Sequence, residues 1–161
     1  LGTASMKIGK GVVVAALVAV NAFGDVVDPE NGRIIAGTRK PVLGGFLNTL
    51  EHMKGDLGQT ILGFANTTIG VITTNASLTK TQTTKVAQMA HDGLAMTIRP
   101  VHTMFDGDTI FALATGNLSR GKKPDDASVV GAAAVQVMAQ AVLRAVRAAR
   151  GLAGVPAASE L

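Results

Sequence analysis

Residues 64–79 read FANTTIGVITTNASLT and set two adjacent threonines, Thr67 and Thr68, after Asn66 and at the mouth of a β-branched run. A threonine hydroxyl is too weakly acidic to attack a carbonyl unaided and needs a base beside it. A threonine whose preceding peptide bond has been cut carries that base itself. Its α-amine, with an ordinary pKa of about 7.7–8.0, is neutral often enough near neutral pH to accept the hydroxyl proton. Thr67 is on this ground a candidate nucleophile; Thr68 beside it could add a hydrogen bond and is equally well explained as a strand residue. The plainer reading stays open, because Asn takes turn geometry readily and Thr is common in strands. Two carboxylates, Asp106 and Asp108, flank Gly107 in FDGDT just before another apolar run, so i, i+2 spacing could bring both to one end of a sheet. The competing reading is a solvated Asp-Gly turn. Asn21 ends a wholly apolar run, where its amide could donate to a developing oxyanion or close a turn. His91 and His102 lack metal-ligand spacing to each other. His91 is expected to pack or hydrogen-bond within a helix, and His52 carries still less signal.

The elements that must position these groups follow from periodicity. Gly11 to Val20 is a continuous Val-rich run, which predicts a central strand buried on both faces. Asp28-Pro-Glu-Asn-Gly32 predicts a turn, with a short strand over Arg33 to Ala36 after it. Residues 37–63 read as a surface connection with a short helix around Leu47 to Met53. Thr68 to Thr74 predicts a strand. Thr79 and Gln82 have capping-box spacing, with Ser77 as a competing cap, and open a helix. Its buried stripe is Val86, Met89, Ala90, Gly93, Leu94 and Ile98, and Arg99-Pro100 stops it. Thr109 to Ala114 predicts another strand. After a polar linker over 122–126 with an aspartate cap, Ser128 to Arg150 predicts an Ala/Val-rich helix whose late arginines suit its C-terminal dipole. Strands alternating with helices in this order predict an α+β fold with helices layered on a sheet.

Composition narrows the function. With 161 residues, 47% apolar and 16% charged, the chain has the material for one packed core. Its formal charge of +4 is spread without a basic block or interleaved aromatics, so no nucleic-acid partner is expected. The absence of cysteine removes thiolate nucleophiles, disulfides and Cys-ligated metals. No metal or other cofactor is expected. The longest strongly apolar run, Val12 to Val20, is too short to span a bilayer, so no membrane partner is expected either. A soluble protein in the cytoplasm is expected, with a periplasmic or secreted location left open. The opening Leu1-Gly-Thr-Ala-Ser reads like the middle of an element, as in a fragment of something longer.

Taken in order, LGTAS, ALVAVNAFGDVVDP, GRIIAG, NTTIGVITTNASLTK and KVAQMAHDGLAMTIRPVHTMFDGDTIFALATG resemble the self-processing peptidases of the DmpA family. That group comprises L-aminopeptidase/D-Ala-esterases, β-peptidyl aminopeptidases and the nylon-oligomer hydrolase. The likeness runs to about Gly116 and more loosely through the last helix. It implies a four-layer αββα sandwich of N-terminal-nucleophile type with the family's own topology, of which this chain is the C-terminal part. It implies autocleavage between Asn66 and Thr67, making 1–66 the end of a large subunit and 67–161 a small one. By the same resemblance Thr67 is the nucleophile, Asp108 the acid that orients the active-site groups with Asp106 beside it, and Asn21 the asparagine that holds the oxyanion. Other members carry Ser and Glu at the two acidic positions, whereas Asp-Gly-Asp is similar to the nylon-hydrolase branch. The family's large subunit begins well upstream of LGTAS and includes a Gly-rich stretch with a lysine near the site. Lys7 and Lys10 lie downstream of that stretch and are not assigned its role.

The implied function is an amidohydrolase or aminopeptidase acting on short peptides, amino-acid amides or esters, or ω-amino oligomers. The missing upstream region would be its first partner, and processed heterodimers would assemble into a homo-oligomer. Two rivals remain at this point. One is an acyltransferase of the self-cleaving glutamate N-acetyltransferase type, which also frees a threonine but passes the acyl group to an amine. The other is an inactive partner-binding or structural fragment.

Overall fold

The computed structural model describes residues 1–9, 11–40, 44–55, 66–116 and 125–161. Strand β1 (Gly2–Ile8) pairs antiparallel with β2 (Val12–Ala19), from Gly2 opposite Val18 to Ile8 opposite Val12. On its other side β2 pairs antiparallel with β5 (Ile69–Thr74), and β5 runs parallel to β7 (Thr109–Ala114) with Ile69 opposite Thr109. The order is β1-β2-β5-β7. Parallel strands need a long crossover, and here helix α2 (Lys80–Thr97) makes it. A second sheet, ordered β4-β3-β6, joins β3 (Asp25–Val27), β4 (Ile34–Ala36) and β6 (Ile98–Arg99). Residues 28–32 turn between β3 and β4, where Gly32 takes φ of 72° and Asp28 N–H donates to Arg33 O at 2.8 Å. A six-residue helix, α1 (Thr49–Lys54), and a 21-residue helix, α3 (Ala127–Arg147), complete the set, with a final 3-10 turn at Ala158–Glu160.

One face of the four-stranded sheet holds the core. Val14, Ala16, Val18, Ile72 and Ile110 point toward α2 and α3, which answer with Val86, Ala90, Leu94, Val137 and Met138. Burying that apolar area is the main favourable term in folding. The long helices approach closely because Gly93 stands where they cross: a Cβ there would lie 2.6 Å from the Val135 carbonyl oxygen. By length and composition α3 is apolar enough to cross a membrane, yet its stripe of Val130, Ala134, Val137, Met138 and Ala141 lies in this core. It is the helix that β1 and β2 rest on.

The opposite face differs from expectation. β2 is central in the sheet, as its Val-rich run predicts, but only alternate residues are buried; Val13 and Leu17 are exposed. Ile69, Phe111 and Leu113 share that face by register and are also exposed. The reason is that α2 and α3 cover one side, and among the described residues nothing covers the other. Of the four expected layers the described residues build one helix layer and the four-stranded sheet under it.

Local signals explain most element ends. Thr79, not Ser77, caps α2: its Oγ accepts from Gln82 N–H while the Gln82 side chain accepts from Thr79 N–H at 2.9 Å. Asp126 caps α3, accepting from Ser128 N–H at 2.8 Å. Helix α2 stops at Thr97, and Ile98 of the predicted stripe is buried as the first residue of β6 instead. Strands β1 and β3 are unannounced in the sequence, and the predicted linker over 122–126 lies mostly outside the described residues.

Candidate active site

The site gathers where β5 and β7 begin. Because these neighbours are parallel, their N-terminal ends lie side by side, and the pairing continues upstream as a bridge between Asn66 and Asp106. Asn66 N–H donates to Phe105 O at 2.9 Å, Gly107 N–H to Asn66 O at 2.8 Å, and Thr109 N–H to Thr68 O at 3.0 Å. This ladder carries the NTT segment alongside FDGDT, so the two motifs singled out in the sequence meet.

Thr67 Oγ donates to the Asn66 carbonyl oxygen at 2.6 Å. The hydroxyl thus lies against the carbonyl it would have to attack. The same oxygen receives the Gly107 N–H, which makes Gly107 the visible donor to an oxyanion formed there. A Cβ on Gly107 would stand 2.9 Å from Thr67 Oγ, so glycine leaves room for the threonine. Asn21 reaches the site through its main chain: its carbonyl accepts from Thr67 N–H at 2.8 Å, and its residue is solvent-exposed.

The two aspartates lie at one end of the sheet, as their spacing predicts, but have different tasks. Asp106 fastens loops: Oδ2 accepts from Thr103 N–H at 3.1 Å and Thr103 Oγ at 2.7 Å, and Oδ1 from Phe23 N–H at 3.2 Å. The Phe23 and Phe105 rings pack beside that tie, 5.4 Å between centroids. Asp108 faces Thr68, the residue after Thr67. Its Oδ1 accepts from Thr68 N–H at 2.8 Å and its Oδ2 lies 2.8 Å from His102 Nδ1. Behind it, His102 Nε2 is 3.3 Å from His91 Nδ1. Burial, then the neighbouring His102, hold the His91 ring below its ordinary pKa. Thr68 Oγ is buried and has no hydrogen-bond partner among the described residues, so Thr68 contributes its main chain rather than its hydroxyl.

Beside Asn66 lies a cavity of about 340 Å³ whose walls include Phe23, Leu47, Thr38, Thr49 and His52. Its α1 wall is held by Asp25, 1% exposed, which accepts from Thr49 N–H at 2.7 Å and Thr49 Oγ at 2.8 Å. Burial pushes the Asp25 carboxyl above its ordinary pKa, with the Thr49 bonds pulling the other way. Gly107, His102 and Asp25 went unassigned in the sequence. A main-chain N–H has no residue signature, and the histidine and buried aspartate acquire partners only through tertiary contacts.

Comparison with known proteins identifies the family and the fold. The model of peptidase family S58 matches residues 1–159. An uncharacterized aminopeptidase of Mycobacterium tuberculosis is 40% identical over 178 residues, covering 97% of this chain and 50% of its own length. A 6-aminohexanoate-oligomer endohydrolase of Paenarthrobacter ureafaciens is 30% identical over 160 residues, covering 89% of this chain and 43% of its own. The chain therefore spans about half the length of the curated relatives it matches. Among solved structures, the L-aminopeptidase D-Ala-esterase/amidase of Ochrobactrum anthropi, described as a variant of the Ntn hydrolase fold, superposes with a TM-score of 0.61 at 23% identity. It matches 96% of this chain and 42% of its own. The α+β architecture is thus the Ntn-hydrolase fold of that kind. With a family match running through nearly its whole length, this chain belongs to peptidase family S58.

Proposed function

We propose that the chain is the nucleophile-bearing part of a self-processing amidohydrolase, and that Thr67 serves first in cutting the chain and then in turnover. The observation that carries this is the placement of Thr67 Oγ 2.6 Å from the Asn66 carbonyl oxygen, with Gly107 N–H on the same oxygen. In the first reaction Thr67 Oγ bonds to the Asn66 carbonyl carbon, the C–N bond breaks, and the hydroxyl proton ends on the Thr67 nitrogen. Water then hydrolyses the resulting ester and releases Asn66 as a carboxylate. The freed amine remains within reach of the Asn21 carbonyl, which already accepts from that nitrogen. Held in this way, the amine takes the Oγ proton as Thr67 attacks a substrate carbonyl, and returns a proton to the departing amine. Prepaid positioning of this kind accounts for much of enzymatic acceleration. Asp108 fixes the Thr68 end of the loop, and Asp106 fixes the 21–23 and 103–106 segments around it.

The substrate carbonyl must sit where the Asn66 carbonyl sits, since nucleophile and oxyanion donor are shared. Its acyl portion then reaches the cavity beside Asn66, whose mixed apolar and hydroxyl lining suits a small amide or ester, a short peptide or an ω-amino oligomer. The exposed sheet face of Val13, Leu17, Ile69, Phe111 and Leu113 is covered, in this reading, by a segment corresponding to the half of the relatives that this chain does not span.

The test is intact mass and N-terminal sequencing of the product of the complete gene. A fragment beginning Thr-Thr-Ile-Gly is expected from the wild type and none from Thr67→Ala, because one oxygen serves both reactions. Normal cleavage at residue 66 in Thr67→Ala would falsify the assignment. Turnover that multiplies on adding an amine acceptor, with the acyl group recovered on that amine, would instead favour an acyltransferase.

A further inference from the structure

Asp108 is held at both oxygens, and one of its holders has no assigned role. Its Oδ1 accepts from Thr68 N–H and its Oδ2 lies 2.8 Å from His102 Nδ1. A carboxylate can only accept, so His102 donates from Nδ1. The second His102 nitrogen is thereby turned to His91 Nδ1, 3.3 Å away, with the two rings edge to face at 4.9 Å. His102 adopts φ of 55°, a left-handed conformation uncommon for a residue other than glycine. Such backbone persists where surrounding contacts over-determine it, and it clusters at functional sites. Here that turn presents Nδ1 to the carboxylate. Asp108 is nearly inaccessible, its side chain 3% exposed, while His102 is 36% exposed and steadied by His91 from helix α2.

We propose that His102, backed by His91, is a positioning residue for Asp108: the pair fixes the carboxylate plane and, through Thr68 N–H, the orientation of Thr67 against its target carbonyl. This rests on Thr67 being the nucleophile. Without a donor at Oδ2, the Asp108 carboxylate has a single anchor and can rotate about its side-chain bonds, which releases the Thr68 end of the loop. The titratable and charged groups acting on His91 are His102, Asp108 and Asp92. Burial, and then His102 beside it, disfavour the charged form of His91.

The experiment follows the first-order rate of self-cleavage by mass after cell-free synthesis from the complete gene, so that no external substrate has to be known. His102→Gly keeps the left-handed backbone and removes the donor; His102→Asn also tolerates that backbone and restores an N–H near the Nδ1 position. His91→Leu removes the backing ring without touching the turn. Self-cleavage is expected to slow about 10-fold to 100-fold in His102→Gly and to recover to within about threefold of wild type in His102→Asn. In His91→Leu it is expected to slow about threefold to tenfold. A wild-type rate in His102→Gly, or His102→Asn as slow as His102→Gly at equal melting temperature, overturns the proposal. If His102→Gly fails to fold, a wild-type rate in His91→Leu together with an uncorrected loss in His102→Asn does the same. Thr67→Ala, run alongside, separates the two ideas. Its continued cleavage rejects the nucleophile itself, whereas its arrest beside unaffected His102 variants rejects only the positioning role.

Discussion

At the scale of single residues, the site turns on a glycine whose value is its missing side chain. Gly107 brings its N–H to the Asn66 carbonyl oxygen at 2.8 Å, and any Cβ would press on Thr67 Oγ at 2.9 Å. Gly107→Ala is therefore expected to slow self-cleavage by an order of magnitude or more, the cost of shifting either the nucleophile or the oxyanion donor. Time-resolved mass analysis checks it, and a wild-type rate would remove Gly107 from the machinery. The meeting of Thr67 with Asp106 and Asp108 is legible from NTTIGV and FDGDT taken in order, since each motif alone also reads as a turn or a strand end. The division of labour between the two aspartates was not legible. Asp106 spends both oxygens on Thr103 and Phe23, partners fixed by how the 21–23 and 103–106 loops meet, and Asp108 finds His102 only because that residue turns left-handed. Asn21, expected at the site for its amide, also brings a main-chain carbonyl that accepts from Thr67 N–H.

Among elements, helices were easier to read than strands. The Thr79–Gln82 capping box and the Arg99-Pro100 stop bracket α2 because both signals are local. β1 was missed because GTASMKI carries few β-branched residues, and its strand state comes from pairing with β2 and resting on α3. The Val-rich run of β2 predicts burial on both faces, and within the described residues α2 and α3 cover one of them. The crossing of those helices gives a stability test. Alanine is a better helix former than glycine by about 1 kcal/mol, but at Gly93 the added carbon would meet the Val135 carbonyl oxygen at 2.6 Å and Met138 Cβ at 2.8 Å. Overpacking against backbone costs roughly 1–3 kcal/mol and should win, since an entire helix has to move. Gly93→Ala is thus expected to lower the denaturation midpoint, and a raised midpoint would mean that the helices separate without penalty.

For the molecule as a whole, what matters is where the proposed cut falls relative to the sheet. Residues before Asn66 supply β1 and β2; residues after it supply β5, α2, β7 and α3. The strand order β1-β2-β5-β7 places that divide in the middle of one continuous ladder, with six residue pairs between β2 and β5. Helix α3, from the second piece, packs back across β1 and β2 of the first, and Arg144 donates to the Thr3 carbonyl at 3.1 Å. Severing the covalent thread therefore leaves the knot tied. The two pieces are expected to co-elute as one particle in native buffer and to part only in denaturant, at a midpoint close to that of the uncut Thr67→Ala chain. Separation in native buffer would show that the peptide bond, not the shared sheet, holds them. A protein joined in this way can spend a backbone bond to expose a new amino group at its centre and remain, mechanically, a single body.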